Sequence, residues 1–181
     1  MIRLASSSQT RAELLREAGI DFIQQSVDFD EDSIKASSPK NFVYQATLGK
    51  YEANIGAFGL SDYPLLVADT VVTSQNQILR KAKCLDDARN ILMTQSGNIT
   101  SIITCMIYQT PRLKLMDISS TDYIFKPFDM DDLERYLASG EWRGKAGACM
   151  VEGFCKPYIQ EVRGYESTAM GLSVEVLKSF L

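Results

Sequence analysis

Residues Ile2 to Leu15 read as an apolar strand, a break at Ser6-Ser7-Ser8 and then a helix, an order that commits the chain to an α/β plan. Thr10 and Glu13 have capping-box spacing, and Gly19 supplies the helix stop. Backbone N–H groups, the hydroxyls of Ser6 and Ser8, and Arg11 therefore crowd a helix N-terminus, a setting that suits a phosphate. A second run, Leu65 to Val72, reads as an apolar strand that ends in a carboxylate, Asp69, the whole run being a strand pair or one bent strand. An ionised carboxylate is costly to bury, so Asp69 is expected at an open strand end, where α/β proteins place their ligands. A phosphate cradle and a carboxylate together point to metal-assisted attack on a phosphate ester or anhydride.

The remainder of the chain continues the alternation. Strands are expected at Ile2–Ala5, Phe22–Val27, Leu65–Val72, Ile99–Tyr108, Leu113–Phe125 and Tyr158–Val162. Helices are expected at Thr10–Ala18, from Pro39 to about Gly56, at Asp86–Thr94, from an Asp129 cap to Ala138, and at Met170–Phe180. Asp28–Lys35 reads as an acidic loop and Glu141–Phe154 as a glycine-containing one. The link at Pro111 makes the strands on either side neighbours, so the sheet is expected to be mixed. One domain over residues 1–181 is the expectation for this length.

A formal net charge of −4 gives no support to a nucleic-acid or membrane partner. The start of the chain has no signal-like region and no apolar run approaches a membrane span, which suggests a cytoplasmic protein with reduced thiols. Cys105 and Cys149 lie among apolar or small residues and read as packed thiols. With no histidine anywhere, a Ser-His-Asp triad and an imidazole base are excluded. Acid–base work falls to carboxylates, lysines, tyrosines or metal-bound water.

The runs Leu4–Leu15, Asp30-Glu31, Lys50, Ala68–Val72, Lys81, Ser96-Gly97, Gly140-Glu141, Lys145–Gly147 and Glu152-Gly153 resemble, in order and spacing, the motifs of the Maf family of nucleoside triphosphate pyrophosphatases. That resemblance covers nearly the whole chain. It implies an elongated two-lobed α/β body around a mixed sheet with a central cleft, of the Maf/inosine triphosphatase-like kind. The implied reaction takes a standard or modified nucleoside triphosphate to monophosphate and pyrophosphate with a divalent metal, Mg²⁺ or Mn²⁺. The implied setting is nucleotide-pool sanitation with a link to septum formation and division arrest. The expected partners are the nucleotide and, where the chain oligomerises, a second copy in a homodimer. The alternative is a nucleotide-binding division regulator with little turnover.

Carried over residue by residue, Asp69 is the catalytic proton acceptor and, with Glu31, a metal ligand. Mg²⁺ sites commonly use one or two carboxylates plus substrate phosphates. Ser6, Ser8, Arg11, Lys50, Lys81, Lys145 and Glu152 are the substrate-binding candidates. Three cations and a metal are proportionate to a triphosphate. Glu152 stands where many members have glutamine, and its two acceptors suit guanine's N1–H and N2–H. A subfamily acting on 7-methyl-GTP shares that glutamate, whereas the retained Lys145 favours the pyrimidine-using members. Trp142 could stack on a base, but a lone loop tryptophan more often covers apolar surface. The chain departs from the family pattern at Gln9, Thr10, Arg80, Ala82, Asn98 and Thr100.

Overall fold

The computed structural model describes residues 1–60, 62–149 and 151–181, and the Asp32 side chain lies outside that description. Met150, inside the segment expected as a loop, lies outside the described residues. The strands are β1 (Ile2–Leu4), β2 (Phe22–Gln24), β3 (Leu65–Ser74), β4 (Gln77–Ile78), β5 (Ile99–Gln109), β6 (Lys114–Phe125) and β7 (Ile159–Arg163). The helices are α1 (Gln9–Glu17), α2 (Pro39–Phe58), α3 (Leu85–Gln95), α4 (Met130–Ser139), α5 (Glu166–Ala169) and α6 (Val174–Lys178). Among the described residues these strands form one mixed sheet in the order β2-β1-β3-β5-β6-β7, with β4 on β3. β1 runs parallel to both β2 and β3, whereas β3–β4 and β6–β7 are antiparallel.

The chain divides into two compact units, one of residues 1–70, 103–120 and 165–181, the other of residues 71–102 and 121–164. In the first, α1 and the C-terminal segment cover the sheet through Leu4, Leu15, Leu66, Met106, Leu172 and Leu177, all buried. A second cluster of Ala5, Leu65, Val67 and Ile107 receives Tyr51 of α2. β3 is buried on both faces, which is why it reads as an apolar run rather than an alternating strand. In the second unit the core is aromatic: Phe128 meets Phe125, Phe154 and Tyr158 edge-on, and Phe154 stacks on Tyr136. Trp142 is 2% exposed and its indole N–H donates to Leu137 O at 3.0 Å, so it serves the packing of this unit.

Three expectations need correction, and one short strand is additional. The cap of α1 is Ser8, whose Oγ accepts from Arg11 N at 3.3 Å; Thr10 is already helical, so the Thr10–Glu13 capping box does not form. Of the C-terminal helix expected over Met170–Phe180 only α6 forms; α5 ends ahead of that span, and Gly171, with φ +103°, turns the chain between the two. Cys149 is paired with Cys155 in a disulfide, whereas Cys105 is the buried free thiol, with its pKa pushed up to about 11 by burial. β4 was not foreseen: Gln75 and Asn76 both take positive φ, the geometry of a two-residue hairpin turn, without the Asn-Gly signature that would announce it. Among the described residues no helix is long and apolar enough to cross a membrane.

Candidate active site

The first unit brings six of the nine candidate residues together. The break between β1 and α1 is shaped by its own serines. Ser6 Oγ accepts from Ser8 N at 3.2 Å, and Gln24 Nε2 donates to Ser6 O at 2.8 Å. Arg11 sits in the first turn of α1, and its guanidinium reaches back across that break. Its Nη1 donates to Ser6 Oγ at 3.0 Å, its Nη2 to Thr70 Oγ1 at 3.1 Å and its Nε to Gly171 O at 2.7 Å. Three of the five guanidinium protons are thus spent on the protein. Burial draws the Arg11 pKa down, and the nearby Asp69 and Glu31 carboxylates oppose that shift. Thr70 Oγ1 also lies 2.9 Å from Thr104 Oγ1, which donates to Thr168 O at 2.8 Å.

Asp69 does not sit at a strand end. It is the fifth residue of the ten-residue β3 and only 7% exposed. The compensating charge comes from α2: Lys50 Nζ lies 2.5 Å from Asp69 Oδ1 and 2.5 Å from Glu31 Oε1. A charge buried in mid-strand is tolerable when an opposite charge meets it at hydrogen-bond distance. Glu31 opens a single 3-10 turn, Glu31–Ser33, in an otherwise irregular segment. Asn54, one helical turn beyond Lys50, ties that segment to α2. Its Nδ2 donates to Lys50 O at 2.7 Å and its Oδ1 accepts from Val27 N at 2.9 Å.

Of these groups, Ser6, Ser8, Arg11, Glu31, Lys50 and Asn54 line a pocket of about 270 Å³. One wall offers hydroxyls and a helix N-terminus, the other a carboxylate and an ammonium. Lys50 already holds Glu31 and Asp69 within reach of one shared cation. Two carboxylates, with phosphate and water oxygens completing the shell, match the oxygen-only preference of Mg²⁺ or Mn²⁺. Among the described residues no cluster of three or more metal-binding side chains occurs.

Lys81, Lys145 and Glu152 belong to the second unit. Lys81 is exposed and forms an isolated β-bridge to Ala146, which sets the Lys81 and Lys145 runs side by side. Gly147 N donates to Leu79 O at 3.1 Å, and Gly147 O accepts from buried Gln95 Nε2 at 2.7 Å. Its φ of +69° and a Cβ position 3.1 Å from Val72 Cγ1 explain the glycine there. Lys145 Nζ donates to Glu141 O, and Glu152 is exposed in a turn closed by the Cys149–Cys155 bridge. Thr100 donates to Gln95 Oε1 at 3.3 Å, while Asn98 Nδ2 bonds the carbonyls at the end of α3. Both departures from the family motif at these positions therefore serve packing. A groove of about 530 Å³ in this unit is lined by Arg80, Lys81, Lys83, Cys84 and Asp87 among others.

Gln24, Asn54, Thr70, Thr104 and Gly171 were not singled out from the sequence. Only Asn54 carried a usable signal, its i+4 spacing from Lys50 on one helix face.

An α/β sheet that aims a serine-lined helix N-terminus at a carboxylate–lysine–carboxylate cluster defines a class of phosphate-handling proteins. Within that class the chain belongs to the Maf family: the family described as Maf-like protein matches residues 1–181. Among its relatives is a nucleoside triphosphate pyrophosphatase of a Nitratiruptor species, 58% identical over 179 residues that cover 98% of this chain and 96% of the relative. A protein of the same name from Helicobacter pylori strain J99 is 40% identical over 174 residues, covering 96% and 91% of the two chains. Another, from Campylobacter jejuni, is 38% identical over 183 residues and covers both chains fully.

Proposed function

We propose that this chain is a nucleoside triphosphate pyrophosphatase, one catalytic domain over residues 1–181, with its reaction centre at Glu31, Lys50 and Asp69. The observation that carries this reading is the Lys50 ammonium shared between two carboxylates at the edge of the serine-lined pocket. Ser6, Ser8 and the first turn of α1 receive the polyphosphate, and Arg11 supplies fixed positive charge beside it. Glu31 and Asp69 are the side chains that hold a divalent cation. When bound, that cation supplies Lewis-acid charge for the phosphoryl oxygens and acidifies a nearby water. Asp69 takes the proton of the water that attacks the α-phosphorus in line, and pyrophosphate leaves. Lys50 orients Asp69 and would lend its charge to the α-phosphoryl group under attack. Lys81 and Lys145 contribute further cations, and Glu152 reads the base. The setting of this activity is nucleotide-pool sanitation in the cytoplasm, with a link to septum formation. A division regulator without turnover is the weaker reading, because a pure binder has no use for a buried carboxylate beside a second one.

Turnover of a panel of standard and modified triphosphates, measured with Mg²⁺ and with excess EDTA, tests the reading. Activity is expected only with the metal; full activity in EDTA contradicts the assigned roles of Glu31 and Asp69. The same panel tests Glu152. Two acceptors complement guanine-type bases, including 7-methylguanine, and oppose the O4 acceptor of uracil or thymine. Glu152→Gln is expected to shift the kcat/KM ratio towards pyrimidine triphosphates by about tenfold, a typical worth for one hydrogen-bond exchange. An unchanged ratio removes Glu152 from base recognition.

A further inference from the structure

We propose that Phe29 and Gly49 are positioning residues that set Glu31 against Lys50, an inference that rests on the role assigned above to Glu31. Gly49 lies inside α2, immediately before Lys50. Helix propensity favours alanine at such a place. Here the room an alanine needs is taken by the Phe29 ring. A Cβ built on Gly49 overlaps Cζ and Cε2, and even Cε1, the farthest of the three, would be 2.7 Å away. The ring therefore seats on bare helix backbone, closer than any side chain at position 49 permits.

The consequence falls on Glu31, two residues further on. The segment between β2 and α2 has one 3-10 turn and no strand pairing of its own. Ahead of Glu31 and its own ion pair with Lys50, the segment is held to α2 by the Asn54 bond to Val27 N and by the Phe29 ring. Between Phe29 and Glu31 the chain has only Asp30 in which to absorb a shift. A ring pushed off Gly49 thus moves the Glu31 carboxylate away from the 2.5 Å contact it makes with Lys50 Nζ. Asp69, on β3, keeps its place, so the pair that shares one cation is lost, while the Phe29 ring also leaves the wall of the pocket it lines.

The test is a set of double-mutant cycles between Glu31→Gln and two independent disturbances, Gly49→Ala and Phe29→Ala, read as kcat/KM and as Tm in EDTA. Each disturbance alone is expected to cost about tenfold or more in kcat/KM, and neither is expected to add to the loss caused by Glu31→Gln. Gly49→Ala is expected to remain folded in EDTA, the gain in helix propensity offsetting part of the cost of displacing the Phe29 ring. Phe29→Leu, which removes the overlapping ring atoms, should restore most of the activity of Gly49→Ala. Two disturbances within about twofold of wild type, or losses that multiply with that of Glu31→Gln, overturn the positioning role and leave Glu31 standing. A Glu31→Gln enzyme as active as wild type removes Glu31 from the mechanism, and the positioning role with it.

Discussion

Asp69→Asn is expected to lose about 10²–10⁴-fold in kcat while remaining folded, the usual range for removing a positioned acid–base group. The substitution keeps the side-chain volume inside β3, where Asp69 is only 7% exposed, so no cavity opens. The amide oxygen can still accept from Lys50, which retains Glu31 as its second partner. What disappears is the charge that takes a proton and helps hold a cation. The unfolding midpoint should therefore stay near that of the wild type, because a buried amide needs no counter-charge. A mutant within threefold of wild-type turnover would remove Asp69 from the chemistry.

Lys50→Ala is expected to damage both stability and turnover, for one electrostatic reason. The ammonium lies 2.5 Å from each carboxylate, and the Asp69 side chain is 9% exposed. Its removal leaves two like charges facing one another, one of them buried. A stability loss of about 1–3 kcal/mol follows from leaving a buried charged group without its partner, and urea unfolding in EDTA measures it. Turnover should fall by about 10²-fold, the size of effect seen when one charge-stabilising group is lost from a site. Mg²⁺ should then raise the Tm of Lys50→Ala more than that of the wild type, because the carboxylate pair no longer has a resident cation to displace. A mutant that keeps wild-type stability in EDTA would mean that Lys50 does not neutralise Asp69.

The sequence shows the charged members of this site and the serines of the β1–α1 break, and hides the other neutral ones. Asp69, Lys50 and Glu31 are legible because a carboxylate in an apolar strand, a lysine on a half-apolar helix and a D-E pair each stand out in a matching order. Thr70, Thr104 and Gly171 carry no such contrast. Their partners lie 59, 34 and 160 residues away from the groups they bond, so only the folded sheet reveals them. The helix expected over Met170–Phe180 fails at the same place. The glycine that interrupts it turns its carbonyl to Arg11, and the local helical pattern yields to that tertiary bond. Asp69 was expected at a strand end because burial of a lone charge is costly. The reasoning holds, but the lysine that changes its outcome comes from α2, which the strand's own sequence does not show. The Cys149–Cys155 pairing was likewise invisible, since their spacing matches no thiol motif and the turn that joins them is irregular.

Water attack on the α-phosphorus at the Asp69 centre is the step on which the proposed reaction turns. Turnover of a nucleoside triphosphate in ¹⁸O-enriched water, with mass analysis of both products, tests this directly. One solvent oxygen is expected in the nucleoside monophosphate and none in the pyrophosphate, with both products formed in equal amounts and both lost in Asp69→Asn. Label in the pyrophosphate, release of orthophosphate instead, or unchanged labelling and rate in Asp69→Asn would contradict it.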